Sequence, residues 1–145
     1  MQSSVYPLER VLPHGEGMRL IDEIISFDSE AKELVSAFTA RKEWPMNVTA
    51  IEFMAQTAAA LAGHADIESG YDGPPKPGFL LGTRKMELAV ARFEVGRRYF
   101  VRAKNVFTDG MAASFECRVE SESGEVLASA TLNAVRPDEL DENML

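Results

Sequence analysis

A carboxylate and a side-chain amide stand one helical turn apart in an otherwise uncharged stretch. Between Ala50 and Ala65, Glu52 is the only charged residue, among seven alanines, Ile51, Phe53, Met54 and Leu61, and Gln56 follows it by four positions. On a helix that spacing puts both groups on one face, within hydrogen-bond reach. A carboxylate among apolar side chains is costly unless it is paired, hydrogen-bonded or used chemically. Glu52 is therefore the candidate acid or base, and Gln56 the candidate holder of its carboxyl rotamer. The plainer alternative is a Glu that merely bonds a neighbour. The chain has only two histidines to act opposite it. His64 lies twelve residues further on, about 18 Å along a helix axis and facing another way. It reads as a helix-end residue favoured by the C-terminal dipole. His14, in the loop Pro13-His14-Gly15, is the candidate base, with Glu16 placed to orient it; its alternative role is to pin the N-terminal segment. Two scattered histidines and the single Cys117 offer no metal-ligand spacing, so no metal is expected. Cys117 alternates with Glu116 and Arg118 and reads as a buried thiol.

The element that must position Glu52 is a long helix, apolar nearly all round, expected from about Trp44 to near Gly70 with Pro45 or Asn47 at its start. Before it lie a leading segment, 1–16, with a helical turn at Leu8–Val11, and then a hairpin. Its first strand is expected over Met18–Phe27 and its second over Lys32–Ala40, joined by the turn residues Asp28-Ser29-Glu30. Leu34, Ser36, Phe38 and Ala40 share one face of the second strand; Glu33, Val35, Ala37 and Thr39 share the other. After the helix, Tyr71–Gly78 is the Pro/Gly-rich loop. Strands follow at Phe79–Leu88, Arg97–Thr108, Ala112–Ser121 and Val126–Val135, with tight turns at Asp109-Gly110 and Ser123-Gly124. Residues 137–145 form an acidic tail. Two strands, one apolar helix and four strands define an α+β chain in which an antiparallel sheet of about six strands wraps the helix. Such a sheet covers only part of the helix, which predicts a dimer.

Size and composition narrow the class. At 145 residues the chain makes one domain, and 46% hydrophobic with 26% charged residues is ordinary for a globular protein. A net charge of -8 argues against a nucleic-acid partner. No apolar run is long enough for a membrane span, and the N-terminus lacks the pattern of a secretory signal. One cysteine fits a reducing cytoplasm.

The motifs resemble the hot-dog superfamily, specifically the beta-hydroxyacyl-[acyl carrier protein] dehydratases. Leu12-Pro13-His14 followed by Met18-Arg19-Leu20-Ile21-Asp22 is similar to that family's "LPH…LLID" signature. Ile51-Glu52-Phe53-Met54-Ala55-Gln56 is similar to its "IE-x-MAQ" helix, and Gly78–Lys85 to the strand that follows it. "Gly-Phe-Leu-Leu-Gly-Thr-Arg" and the spacing most resemble the dehydratase-like branch of aryl-polyene pigment clusters. The resemblance covers about residues 11–136.

It implies a hot-dog fold and a dimer with active sites at its interface. It also implies a 3-hydroxyacyl substrate held as a thioester on the phosphopantetheine of an acyl carrier protein or CoA, with no resident cofactor. The dehydration would serve fatty-acid or aryl-polyene-type biosynthesis. Glu52 matches the family's helix carboxylate. The family's histidine, in a "GHFPG" loop before the helix, has no counterpart in Phe38–Asn47. Met54, Phe79, Leu81 and Gly82 are candidates to line an acyl tunnel, with plain core packing as the alternative. From Arg84 to Lys104, seven basic residues oppose two acidic ones. Arg84, Lys85, Arg98, Arg102 and Lys104 are the candidate surface for an acidic carrier protein or a coenzyme's phosphates. The alternative is an exposed strand guarded by charge. Two other functions fit the same residues: an acyl thioesterase, and a catalytically silent subunit of a heterodimeric dehydratase.

Overall fold

Met46–Glu68 forms the long helix, α2, in a computed structural model that describes residues 4–136. Pro45 is its N-cap. The helix stops two residues short of Gly70, whose φ of +95° is open to glycine at little cost. The Gly70 and Tyr71 amides there donate back to the carbonyls of Ile67 and Asp66. The acidic stretch from Pro137 and the side chain of Glu16 lie outside what the structure describes.

Six strands surround one side of the helix: β1 (Glu23–Asp28), β2 (Glu33–Thr39), β3 (Phe79–Leu88), β4 (Arg98–Asp109), β5 (Ala112–Ser121) and β6 (Val126–Val135). They pair antiparallel in the order β1-β2-β4-β5-β6-β3. The helix therefore carries the chain from one side of the sheet to the other, where β3 pairs with β6 and becomes an edge. β4, β5 and β6 are joined by tight turns whose glycines, Gly110 and Gly124, have φ of +61° and +89°.

Register aligns one face of every central strand on α2. Leu34, Ser36 and Phe38 of β2 oppose Ala103, Val101 and Tyr99 of β4, which in turn oppose Cys117, Val119 and Ser121 of β5. Against this face α2 buries Met46, Phe53, Met54 and Leu61. Phe38 and Phe53 stack with ring centroids 3.6 Å apart, Phe93 packs edge-on against both, and Tyr99 stacks on Phe38. Ser36 and Thr57, both fully buried, satisfy each other at 2.8 Å. This aromatic knot fixes the end of α2 that carries Glu52.

One element differs from the sequence reading. β1 begins at Glu23, not Met18, because the backbone of Met18 and Leu20 bonds to α2 in place of a strand. The segment before it contains the helical turn α1 (Leu8–Val11) and a 3-10 turn at Glu16–Met18. β2 is buried on both faces from Leu34 to Phe38, with Val35 and Ala37, on the face away from Leu34 and Phe38, beside the side chains of Arg102 and Phe100.

Candidate active site

The side-chain amide of Gln56 is the best-connected group near the helix start. It is fully buried. Its Oε1 accepts the Leu20 amide at 2.8 Å, and its Nε2 donates to the Met18 carbonyl at 2.9 Å and to Glu52 Oε1 at 3.1 Å. Both hydrogens and the oxygen are used, so the orientation is unique: a flipped amide would set its oxygen against two acceptors and its NH2 against a donor. The Glu52–Gln56 contact foreseen from their spacing is present. The contacts of Met18 and Leu20 that complete it were not foreseen, because main-chain atoms supply them.

Glu52 itself is exposed, which corrects the expectation of a buried carboxylate. The sheet covers one side of α2 and leaves uncovered the stripe on which Glu52 stands. Val48, one turn earlier, is 68% exposed, and Met18 is 69% exposed. The carboxylate thus sits among apolar groups open to a second molecule, with Oε2 unpartnered among the described residues.

The histidines divide clearly. His14 is half-buried, and its Nδ1 is enclosed without a hydrogen-bond partner. Among the described residues no hydrogen bond joins it to Glu52. His64 is fully buried, which corrects its reading as a helix-end residue serving the dipole. Its Nε2 accepts the Tyr6 amide at 3.0 Å and its Nδ1 faces the Ala60 carbonyl at 2.8 Å. This pair of bonds demands the neutral ring with its proton on Nδ1. Burial pushes the His64 pKa below 6.5, against the raising effects of the Ala60 carbonyl and Glu68.

A cavity of about 570 Å³ runs between α2 and the β3–β6–β5 side of the sheet, a size common in small-molecule sites. Ala55, Ala59 and Ala62 form its helix wall, and Leu80, Met111 and Ala134 face them. Ala55, Ala59 and Ala62 are spaced four and three residues apart and so share one stripe of α2; the lining begins three residues after Glu52, which is not part of it. That alanine stripe was legible in the sequence and was missed as a wall.

The expected tunnel residues fall elsewhere. Met54 is wholly buried in the core, and Phe79, Leu81 and Gly82 do not line the cavity. Gly78 and Leu80 do. The correction is one residue in register, which turns a strand side chain to the opposite face. A bulge between Leu80 and Gly82 leaves Leu81 67% exposed.

The cationic surface is partly spent internally. Arg98 pairs with Glu23, and Arg102 bonds Glu33 at 3.1 Å and Glu120 at 2.9 Å. The local charge excess ignored acids brought alongside from β1, β2 and β5. Arg84, Lys85 and Lys104 are exposed and make no ion pair among the described residues. Cys117 is buried, and burial pushes its thiol pKa up. Among the described residues there is no cluster able to hold a metal ion, and no helix is long and apolar enough to cross a membrane.

One long helix on a six-stranded antiparallel sheet in this order is the hot-dog fold. The model of the ApeP-like family, described as ApeP dehydratase, matches residues 6–145, and the chain belongs to this dehydratase family. Among solved structures, the dehydratase heterocomplex ApeI:P from Xenorhabdus doucetiae matches with a TM-score of 0.83 and 24% identity over 94% of each chain. The PaaI protein from the phenylacetic acid degradation operon of E. coli matches at 0.60 and 10% identity, over 79% of this chain and 78% of that one. A hypothetical thioesterase with coenzyme A from Streptococcus pneumoniae TIGR4 also matches at 0.60 and 10%, over 82% and 88%. At these identities the structures establish the fold alone. No curated relative matches.

Proposed function

We propose that the chain serves the dehydration of 3-hydroxyacyl thioesters to 2-enoyl thioesters in aryl-polyene-type biosynthesis. The substrate would be carried on the phosphopantetheine of an acyl carrier protein or of CoA. The observation that carries this reading is the Gln56-held Glu52 carboxylate, about one helix turn before the alanine wall of the cavity, in a chain of a dehydratase family.

The reaction takes the α-proton to a base. The electron pair left on Cα forms the double bond to Cβ, the Cβ–O bond breaks, and the hydroxyl leaves as water on receiving a proton. Glu52 is assigned as the acid that protonates the leaving hydroxyl, and Gln56 fixes the direction of its carboxyl group. His14 is the base this chain would supply, and Ala55, Ala59 and Ala62 seat the acyl chain. No resident cofactor is required, because the pantetheine arm arrives with the substrate. A cytoplasmic site fits the single buried thiol. Arg84, Lys85 and Lys104 would meet an acidic carrier.

The working unit is assigned as a dimer, either of two copies or with a related hot-dog subunit. The uncovered stripe of α2 and the unpaired β3 edge, with Leu80, Leu81 and Leu88 exposed, are surfaces a second subunit would cover. The test is Glu52→Gln in the assembled protein: conversion of a 3-hydroxyacyl thioester to the enoyl form is expected to be abolished, and full activity would overturn the assignment.

A second reading is a catalytically silent subunit completing an active relative. It is favoured by the histidines, since His64 is committed to the fold and His14 makes no bond to Glu52. Absence of turnover by the chain alone, with turnover appearing on subunit exchange, would select it. A thioesterase would release free thiol from acyl-CoA, an outcome the dehydratase reading excludes.

A further inference from the structure

We infer that His64 is a positioning residue for the Glu52 site, acting through the N-terminal segment. This rests on the reading of Glu52 as the working carboxylate, and it explains a fully buried histidine that the proposed chemistry leaves unused.

The segment from Tyr6 to Leu20 lies along α2 and is clipped to it at both ends. At the far end His64 accepts the Tyr6 amide, and its ring is held between Tyr6 and Phe27 at centroid distances of 5.4 and 4.9 Å. Next to it Val11 packs directly on Gly63. A Cβ there would meet the Val11 carbonyl oxygen at 2.6 Å and Val11 Cβ at 2.8 Å, so only glycine admits the segment this close. At the near end Gln56 holds Met18 and Leu20. His14 lies on the span between the clips.

The two clips are coupled by the chain that joins them. Gln56 aims its NH2 at Glu52 only while the Met18 carbonyl and the Leu20 amide occupy their places. Loss of the His64 acceptor leaves the Tyr6 amide without a partner in a part-buried position, a cost relieved by lifting the segment. A lifted segment moves Met18, and with it the orientation of the amide that holds Glu52. His64 thus influences a carboxylate twelve residues away without touching it.

The test uses the full chain and needs no turnover, so its failure is separate from failure of the dehydratase reading. The readouts are hydrogen exchange at the Tyr6 amide and the side-chain NH2 resonances of Gln56 in nitrogen-15 spectra. His64→Leu removes the acceptor. It is expected to lower Tyr6 protection by about tenfold and to displace the Gln56 side-chain resonances. His64→Gln, which restores an acceptor oxygen, is expected to recover both. Should His64→Leu not fold, Tyr6→Pro deletes the donor without altering the helix and is expected to give the same displacement. Loss of Tyr6 protection, or the Tyr6→Pro substitution, with the Gln56 resonances unmoved would overturn the inference.

Discussion

Replacing Gln56 by leucine tests the clamp on which the site is built. The two side chains are close in size and the position is fully buried, so the change removes polarity more than packing. Three hydrogen bonds disappear. Two of the groups left behind, the Leu20 amide and the Met18 carbonyl, are part of a segment that packs against α2. A hydrogen bond contributes about 0.5–1.5 kcal/mol net, and an unsatisfied buried partner costs about 1–3 kcal/mol. The bond to exposed Glu52 adds little, because water replaces it. The expected destabilisation is about 2–4 kcal/mol, a large part of the 5–15 kcal/mol that holds a typical domain. Urea unfolding should report it as a lower midpoint at unchanged slope, and amide exchange should show faster opening at Leu20. A midpoint within about 0.5 kcal/mol of wild type, with the Leu20 amide still protected, would refute the clamp. Gln56→Glu separates polarity from size: it keeps the acceptor for Leu20 but turns an oxygen toward the Met18 carbonyl and Glu52. It should be destabilised at neutral pH and recover in acid, where the new carboxyl can donate.

Other consequences are as direct. The unfolded His64 ring binds its proton near pH 6.5, and the folded ring only at lower pH. Its contribution to stability is therefore full above 6.5 and is lost as pH falls through the interval down to the folded value. The slope there should approach about 1.4 kcal/mol per pH unit and vanish in His64→Gln, measured by unfolding at a series of pH values. Gly63→Ala should cost about 1–3 kcal/mol, because the added methyl meets Val11 backbone. Gly82→Ala, where nothing lies within 4 Å, should unfold within about 0.5 kcal/mol of wild type. Ala59→Leu should narrow the cavity and reduce activity on long acyl thioesters more than on short ones; equal losses across chain length would remove this stripe from the acyl path. Cys117 should resist thiol reagents in the folded chain and react at the rate of unfolding.

How much of this was legible in the sequence depended on whether local pattern or three-dimensional company decides the outcome. β3, β5 and β6 lie where alternation and turn glycines put them, since strand period and turn chemistry are local. The Glu52–Gln56 pair was equally legible, being a property of one helix turn. The exposure of Glu52 was not: an apolar helix suggests burial all round, and only the placement of the sheet reveals the uncovered stripe. The failure at Phe79 and Leu81 has a similar cause, since a strand's alternation shows two faces without saying which meets the cavity. His64 was misread because its partner is a backbone amide 58 residues away. Arg98 and Arg102 looked available because the acids that neutralise them lie on other strands.

The strand order also bears on how the chain is made. β2 cannot pair with β4 until residues such as Arg102, 69 positions after Glu33, have been synthesised. During that interval α2 already exists as a segment with Phe53, Met54 and Leu61 and no sheet to receive them. The meander β4–β5–β6 is local and closes through short hairpins, whereas docking of the earlier half is a long-range step. A nascent chain emerging N-terminus first thus carries its most apolar helix uncovered for nearly half its length. The same crossing that seats α2 on the sheet in the finished molecule makes the unfinished one dependent on prompt completion or on a chaperone's shelter.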